Sequence, residues 1–233
     1  MKAGRRLKSG LSGFSFLARS GVKLIDALLT RVYKVRVFSE APECILRISH
    51  VCASRAVVLF DGTRVQPGDE LIEIHFWNER LSTLRGKPAS LARREASAAA
   101  SGLARGAGFI NGLMVSLCLL AQWAEANPEA ARFVAVHGTL GFIPAKQVEV
   151  LRGRARRLGF DLELREIPGR CFWTGAFWVQ LWAWWLMWAY NPASRRGKRL
   201  RDMALVDLWM SRQALLALRQ GAASLAGSRP ASC

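Results

Sequence analysis

Apolar residues recur at three- and four-residue steps through Gly13–Val35, at Phe14, Leu17, Leu24, Ile25, Leu28, Leu29 and Val32. That spacing predicts an amphipathic helix, and the polar positions between are largely basic. The period then shortens. ECILRI at Glu43–Ile48 and AVVLF at Ala56–Phe60 predict short strands, with tight turns at Asp61-Gly62 and Pro67-Gly68. ELIEIHFW at Glu70–Trp77 predicts another strand. Its more apolar face is Glu70, Ile72, Ile74 and Phe76, so Glu73 and His75 share the other face, two residues apart.

Leu84–Glu95 is polar and basic, and Ala96–Trp123 turns Ala-rich and then uncharged. The Gly and Asn of this second stretch favour burial within the fold, and Asn127-Pro128 ends it. Phe133–Val136 predicts a strand leading to His137-Gly138. Pro144–Leu158 predicts an amphipathic helix, with Pro in its first turn and Gly159 just past its end. Asp161–Ile167 alternates like a strand, completing a strand–helix–strand unit. Cys171–Tyr190 is apolar and Trp-rich, Leu205–Met210 predicts a short strand, and Ser211 stands where an N-cap would start a helix over Arg212–Gln220.

These elements predict an α+β fold: a single domain with a small mixed sheet covered by helices, plus the Trp-rich apolar helix. Residues 1–22 form a basic segment leading into the first helix, 23–220 the domain, and 221–233 a small, polar, flexible tail.

Composition sharpens this. Of 233 residues, 51% are hydrophobic, which excludes a disordered basic tail. The 22% charged residues are spread along most of the chain and argue against a polytopic membrane protein. The net charge is +17, with 27 Arg against seven Lys, clustered in Lys2–Lys8, Arg152–Arg157 and Arg195–Arg201. Such charge seeks polyanions, either nucleic acid or anionic membrane. The five cysteines are scattered without a CxxC pair and read as reduced thiols in a cytosolic setting. The apolar stretch after the basic N-terminal residues is short and interrupted, so an uncleaved N-terminus is expected.

Six of the nine Trp lie in Cys171–Tyr190, among them Trp173, Trp178, Trp182, Trp185 and Trp188. A helix of that length reaches across a bilayer, but Trp favours the interface, where its ring is apolar and its N–H meets water. The downstream cluster, with Arg195, Arg196 and Arg199, suits lipid phosphates. Three readings therefore stand for this segment: it lies on the membrane, it is buried, or it spans. Six Trp packed into one apolar run are unlike a stacking platform along a groove, and no nucleic-acid motif is present, so a nucleic-acid partner is disfavoured.

For chemistry, His75 beside Glu73 is the best candidate general base, because a carboxylate fixes an imidazole's tautomer and raises its basicity. Asn78 lies just beyond, and His137 follows an apolar strand. A structural histidine is the competing reading for both. His75, Glu73 and His137 are the only set resembling a metal site, without the local spacing that metal binding usually shows, and neither metal nor cofactor is expected. The backbone N–H groups at Ser211-Arg212, with the Arg212 side chain, would suit a phosphate, although plain capping is the favoured reading of Ser211.

Asp61–Leu81 (DGTRVQPGDELIEIHFWNERL) carries a D-G-T turn, a P-G-D turn and an E-x-H-x-x-N strand. Together with RLGF at Arg157–Phe160 and DLWMSRQALL at Asp207–Leu216, it resembles the YkoP-like domain, a bacterial family. The resemblance spans roughly Lys23–Gln220, with Trp209, Ser211 and Arg212 matched. Members are often attached to polysaccharide deacetylase-like domains, so the resemblance implies a cell-envelope context and a separate envelope polysaccharide enzyme as partner. The expectation is a peripheral protein on the cytoplasmic face of the inner membrane, binding an anionic lipid or lipid-linked sugar. The alternative is a transferase or hydrolase acting on a lipid-linked substrate, with His75 as base.

Overall fold

The computed structural model describes residues 20–78, 80, 98–165, 174–190 and 199–227. Five strands form one mixed sheet: β1 (Leu46–Cys52), β4 (Glu70–Phe76), β5 (Ala135–Pro144), β6 (Asp161–Leu164) and β7 (Met203–Ser211). Their order is β1-β4-β5-β7-β6, and β2 (Val57–Val58) and β3 (Arg64–Val65) make a separate two-stranded ribbon. β1 runs antiparallel to β4, and β5 runs parallel to β4. The helices are α1 (residues 20–32), α2 (Ala98–Ala126), α3 (Val148–Arg157), α4 (Gly175–Tyr190) and α5 (Arg212–Gly227). The predicted α+β class with a mixed sheet is thus what the chain adopts.

The chain divides into two compact units, each built from three separate segments. The larger comprises Arg36–Gly138, Arg152–Leu162 and Leu208–Cys233. Its β1 and β4 put Ile48, Ile72 and Ile74 on one face, buried as the period-two reading predicts. α2 covers that face: Phe109 lies 5.6 Å from Phe76 and Trp123 lies 6.1 Å from His50, ring to ring. The Ser116 hydroxyl accepts the Ile45 N–H at 2.8 Å and donates to the Gly112 carbonyl at 2.7 Å. The opposite face carries Leu71, Ala135 and Trp209, packed with Ala53, Leu59 and Val65 from the ribbon and its flanks. Burial of each Leu or Val side chain here contributes about 1.5–3 kcal/mol by leaving water. Gly62 and Gly68 have φ of 86° and 93°, the left-handed conformation that the two predicted turns need.

The smaller unit comprises Met1–Val35, Thr139–Leu151 and Glu163–Asp207. Here α1 packs on α4: Val22 and Ala189 are buried together, with Trp182, Trp185, Leu186 and Trp188 around them. Gly21 permits this approach, since a Cβ there would meet the Trp185 ring at 3.2 Å. The buried Gln180 amide donates to the Met203 carbonyl at 3.0 Å. Asp207, fully buried on β7, accepts two N–H bonds from Arg165 and a hydroxyl bond from Thr139.

Several boundaries differ from expectation. β1 starts at Leu46, after Cys44 and Ile45, and continues to Cys52. β5 does not stop at His137-Gly138 but runs on to Pro144. Gly138 marks a close approach within the strand, because a Cβ there would come within 2.8 Å of Ile74 Cγ1. A short 3-10 turn over Ala145–Gln147 follows, so α3 begins only at Val148; Gly159, at φ 83°, terminates it as predicted. β6 ends at Leu164, short of the expected Ile167. β7 extends from Met203 to Ser211, and α5 continues past Gln220 to Gly227. The Leu84–Glu95 stretch lies outside the described residues. Among the described residues one helical segment, Gly108–Ala126, is long and apolar enough to cross a membrane. It also supplies buried Leu117, Leu120, Ala121 and Ala124 to the larger unit.

Candidate functional site

The register of the sheet assembles one polar row. Ser49 pairs with Glu73 across β1 and β4, Glu73 pairs with His137 across β4 and β5, and Arg47 pairs with His75. Directly opposed residues on paired strands project to the same face. All five side chains therefore rise from the face opposite Ile72 and Ile74. The Glu73 carboxylate sits between two imidazoles, 3.8 Å from His75 Nε2 and 3.7 Å from His137 Nδ1. The Ser49 hydroxyl is 2.9 Å from His75 Nε2. The His137 ring lies 4.4 Å from the Trp209 ring, tilted against it.

This geometry limits the chemistry. In a nucleophilic relay the hydroxyl and the carboxylate hold opposite ring nitrogens. Here Ser49 and Glu73 both approach Nε2 of His75, and Ser49 is only 1% exposed. Ser49 therefore orients the ring and is not placed to attack a substrate. Glu73 and His75 are each partly open to solvent, which suits proton exchange between a carboxylate–imidazole pair and a ligand. Among the described residues no group of three His, Cys, Asp or Glu is arranged to hold a metal ion.

Of the predicted residues, the structure brings His75, Glu73 and His137 together. Asn78 is helical and partly buried, two residues past the end of β4. His50 is exposed and lies on the opposite face, against Trp123. Ser49 lies beyond the expected end of the first strand at Ile48, and Arg47, inside that strand, joins the row only through its cross-strand pairing with His75. The alternation Leu46, Arg47, Ile48, Ser49 carries the signal that places them on one face.

Ser211 and Arg212 lie apart from this row, where β7 passes into α5. The Ser211 hydroxyl accepts the Ala214 N–H at 2.9 Å, the predicted cap, and donates to Asp61. Burial pushes the Asp61 carboxyl up, but hydrogen bonds from Ser211 and Thr63 outweigh it and hold it below the ordinary aspartate value. The Arg212 N–H donates to the Val134 carbonyl at 3.0 Å, and its guanidinium lies 5.6 Å from the Phe133 ring centre.

On α4, Trp178 is half-exposed, whereas Trp182, Trp185 and Trp188 pack around Val22 and Ala189. Arg199 is exposed just before the 3-10 turn Leu200–Asp202. Trp173, Arg195 and Arg196 lie outside the described residues.

No curated protein and no solved structure matches the chain. The YkoP domain matches residues 17–219, which takes in the Glu73–His75–His137 row, the Ser211 cap and the Trp helix. The turn motifs, the E-x-H-x-x-N strand and the W-x-S-R helix start all fall inside that span, and the chain belongs to the YkoP domain family.

Proposed function

We propose that the protein is a peripheral membrane protein of the bacterial cell envelope that binds an anionic lipid or lipid-linked saccharide. The observation that carries this is a row of large apolar side chains left open on α1. Leu24, Leu28 and Val32, one turn apart, are 74%, 60% and 63% exposed. Lys23, Arg31 and Lys34 flank the row. Soluble proteins seldom leave such an apolar stripe uncovered beside a basic margin, and an anionic bilayer surface satisfies both halves of it. Exposed Trp178 and Val179 on α4 add interfacial surface in the same unit. The packed Trp residues hold α1 in place and are not themselves the contact. On this reading the protein lies on the cytoplasmic face of the inner membrane.

Flotation with vesicles of phosphatidylglycerol and phosphatidylcholine at low salt tests this. The full chain floats, and the variant L24E/L28E stays with the dense fraction. A wild-type chain that never floats overturns the reading.

A second reading, an enzyme on a lipid-linked substrate with His75 as base, is favoured by the position of Glu73 between the two imidazoles. Its test is H75A, which should abolish function in cells while folding and flotation persist. Unchanged function would sink it.

A further inference from the structure

Beside the start of α5 the larger unit holds an open cleft of about 590 Å³ that neither the histidine row nor the exposed face of α1 uses. Its lining is divided by chemistry. Thr63, Arg212, Gln213 and Gln220 supply polar groups, while Phe133 and Leu216 supply an apolar wall. The volume lies within the range of small-ligand sites, and a few convergent polar groups on an apolar lining are their usual make-up.

Arg212 is the anchor. Its side chain lines the cleft; Nε is shielded from solvent and has no acceptor among the described residues, so the terminal nitrogens are the ones a ligand can reach. The Phe133 ring beside the guanidinium, with its centre 5.6 Å away, offers its π face but no lone pair. An oxyanion is the partner a guanidinium takes best, through its planar fork.

The charge around the cleft selects among oxyanions. Ser211 borders the cleft, and its hydroxyl is bonded to the Asp61 carboxylate. One positive side chain therefore stands near one negative one. Asp61 stands one hydrogen bond behind Ser211, so its charge opposes a doubly charged phosphate monoester more than a singly charged group on Arg212. Two of the helix's first N–H groups are also occupied, Arg212's by Val134 and Ala214's by Ser211, so the side chains and not the helix end provide the recognition.

We infer that this cleft binds a phosphodiester, its anionic oxygens on Arg212 and an attached carbon chain against Phe133 and Leu216. The cleft shares no residue with the exposed face of α1, so it stands or falls independently of flotation. The phosphodiester of a phospholipid headgroup and that of a soluble metabolite share this chemistry.

The experiment is titration of the full ¹⁵N-labelled chain, followed by amide shifts, with three probes: diethyl phosphate, its neutral counterpart triethyl phosphate, and monomeric dihexanoyl phosphatidylglycerol. Saturable shifts at Thr63, Gln213 and Gln220 with the two anions, and none with triethyl phosphate, are expected. R212Q should weaken binding at least tenfold. Q220E, an exposed change that leaves the core intact, should weaken it several-fold by repulsion. Phosphatidylglycerol binding tenfold tighter than diethyl phosphate identifies a lipid source, and equal affinities identify a soluble one. No shift at these amides with either anion overturns the inference, as does binding that R212Q and Q220E both leave unchanged.

Discussion

Replacing Arg165 by Met takes a guanidinium counter-charge away from a fully buried carboxylate. The Asp207 side chain is 1% exposed and accepts Arg165 Nε–H at 3.1 Å on one oxygen and Nη2–H at 2.7 Å on the other. Thr139 donates a further bond at 3.1 Å. In R165M the Thr139 bond survives, but both guanidinium donors are gone. Breaking a buried pair by removing one partner costs about 3–5 kcal/mol. Arg165 is itself 42% exposed, so water reaches the carboxylate from the side it vacates, which places the cost near the lower edge, about 3 kcal/mol. For a chain of this size each kcal/mol moves Tm by about 2–4 °C, so R165M should melt roughly 6–12 °C lower in calorimetry. The control is D207N, which keeps the shape and removes the charge. In that background R165M should cost about 1 kcal/mol, giving a coupling of about 2 kcal/mol. A melting point within 2 °C of wild type, or the same loss in both backgrounds, would refute the argument that Arg165 neutralises Asp207.

Gly138→Ala forces a methyl to within 2.8 Å of Ile74 Cγ1 between two central strands, and should cost about 1–3 kcal/mol in urea unfolding. Ser116→Ala leaves the buried Ile45 N–H without its acceptor and should cost about 1–3 kcal/mol, with faster hydrogen exchange at that amide. Asp61 has a folded pKa below its unfolded value, so its contribution is fully present above the unfolded aspartate pKa and is lost as pH falls through the lower folded value. The Tm gap between wild type and D61N should therefore be open at neutral pH and close below about pH 4, and a gap that widens in acid would contradict the assigned direction.

What was readable in the sequence follows local physics. The tight turns were legible because Asp61-Gly62 and Pro67-Gly68 have few other uses, and the α3 terminus because Gly159 must adopt positive φ. The two faces of β4 were legible because Ile72 and Ile74 alternate with Glu73 and His75. The approach of His137 to Glu73 was not, because it depends on a parallel pairing between residues far apart in sequence, which no local pattern encodes. The end of β5 was not legible either, because Gly138, just past the predicted strand, serves close packing within it. The Trp run looked like a contact surface by composition. Among the described residues of the run only Trp178 is as open as that reading requires, since Gly21 and Val22 bring α1 against Trp182, Trp185 and Trp188.

The interleaving of the two units has a consequence for how the protein is made. Each draws on three stretches of chain, and strand β5 leaves the larger unit at Gly138 and enters the smaller at Thr139. On the ribosome, the smaller unit cannot close until Asp207 has emerged, and the larger needs the chain beyond Leu208. The apolar helices α1, α2 and α4 are all synthesised before either unit is complete. A nascent chain with those surfaces uncovered is a substrate for chaperones or a nearby bilayer throughout most of its synthesis. No contiguous fragment encodes either unit, so truncation at any internal boundary should yield aggregated rather than folded protein.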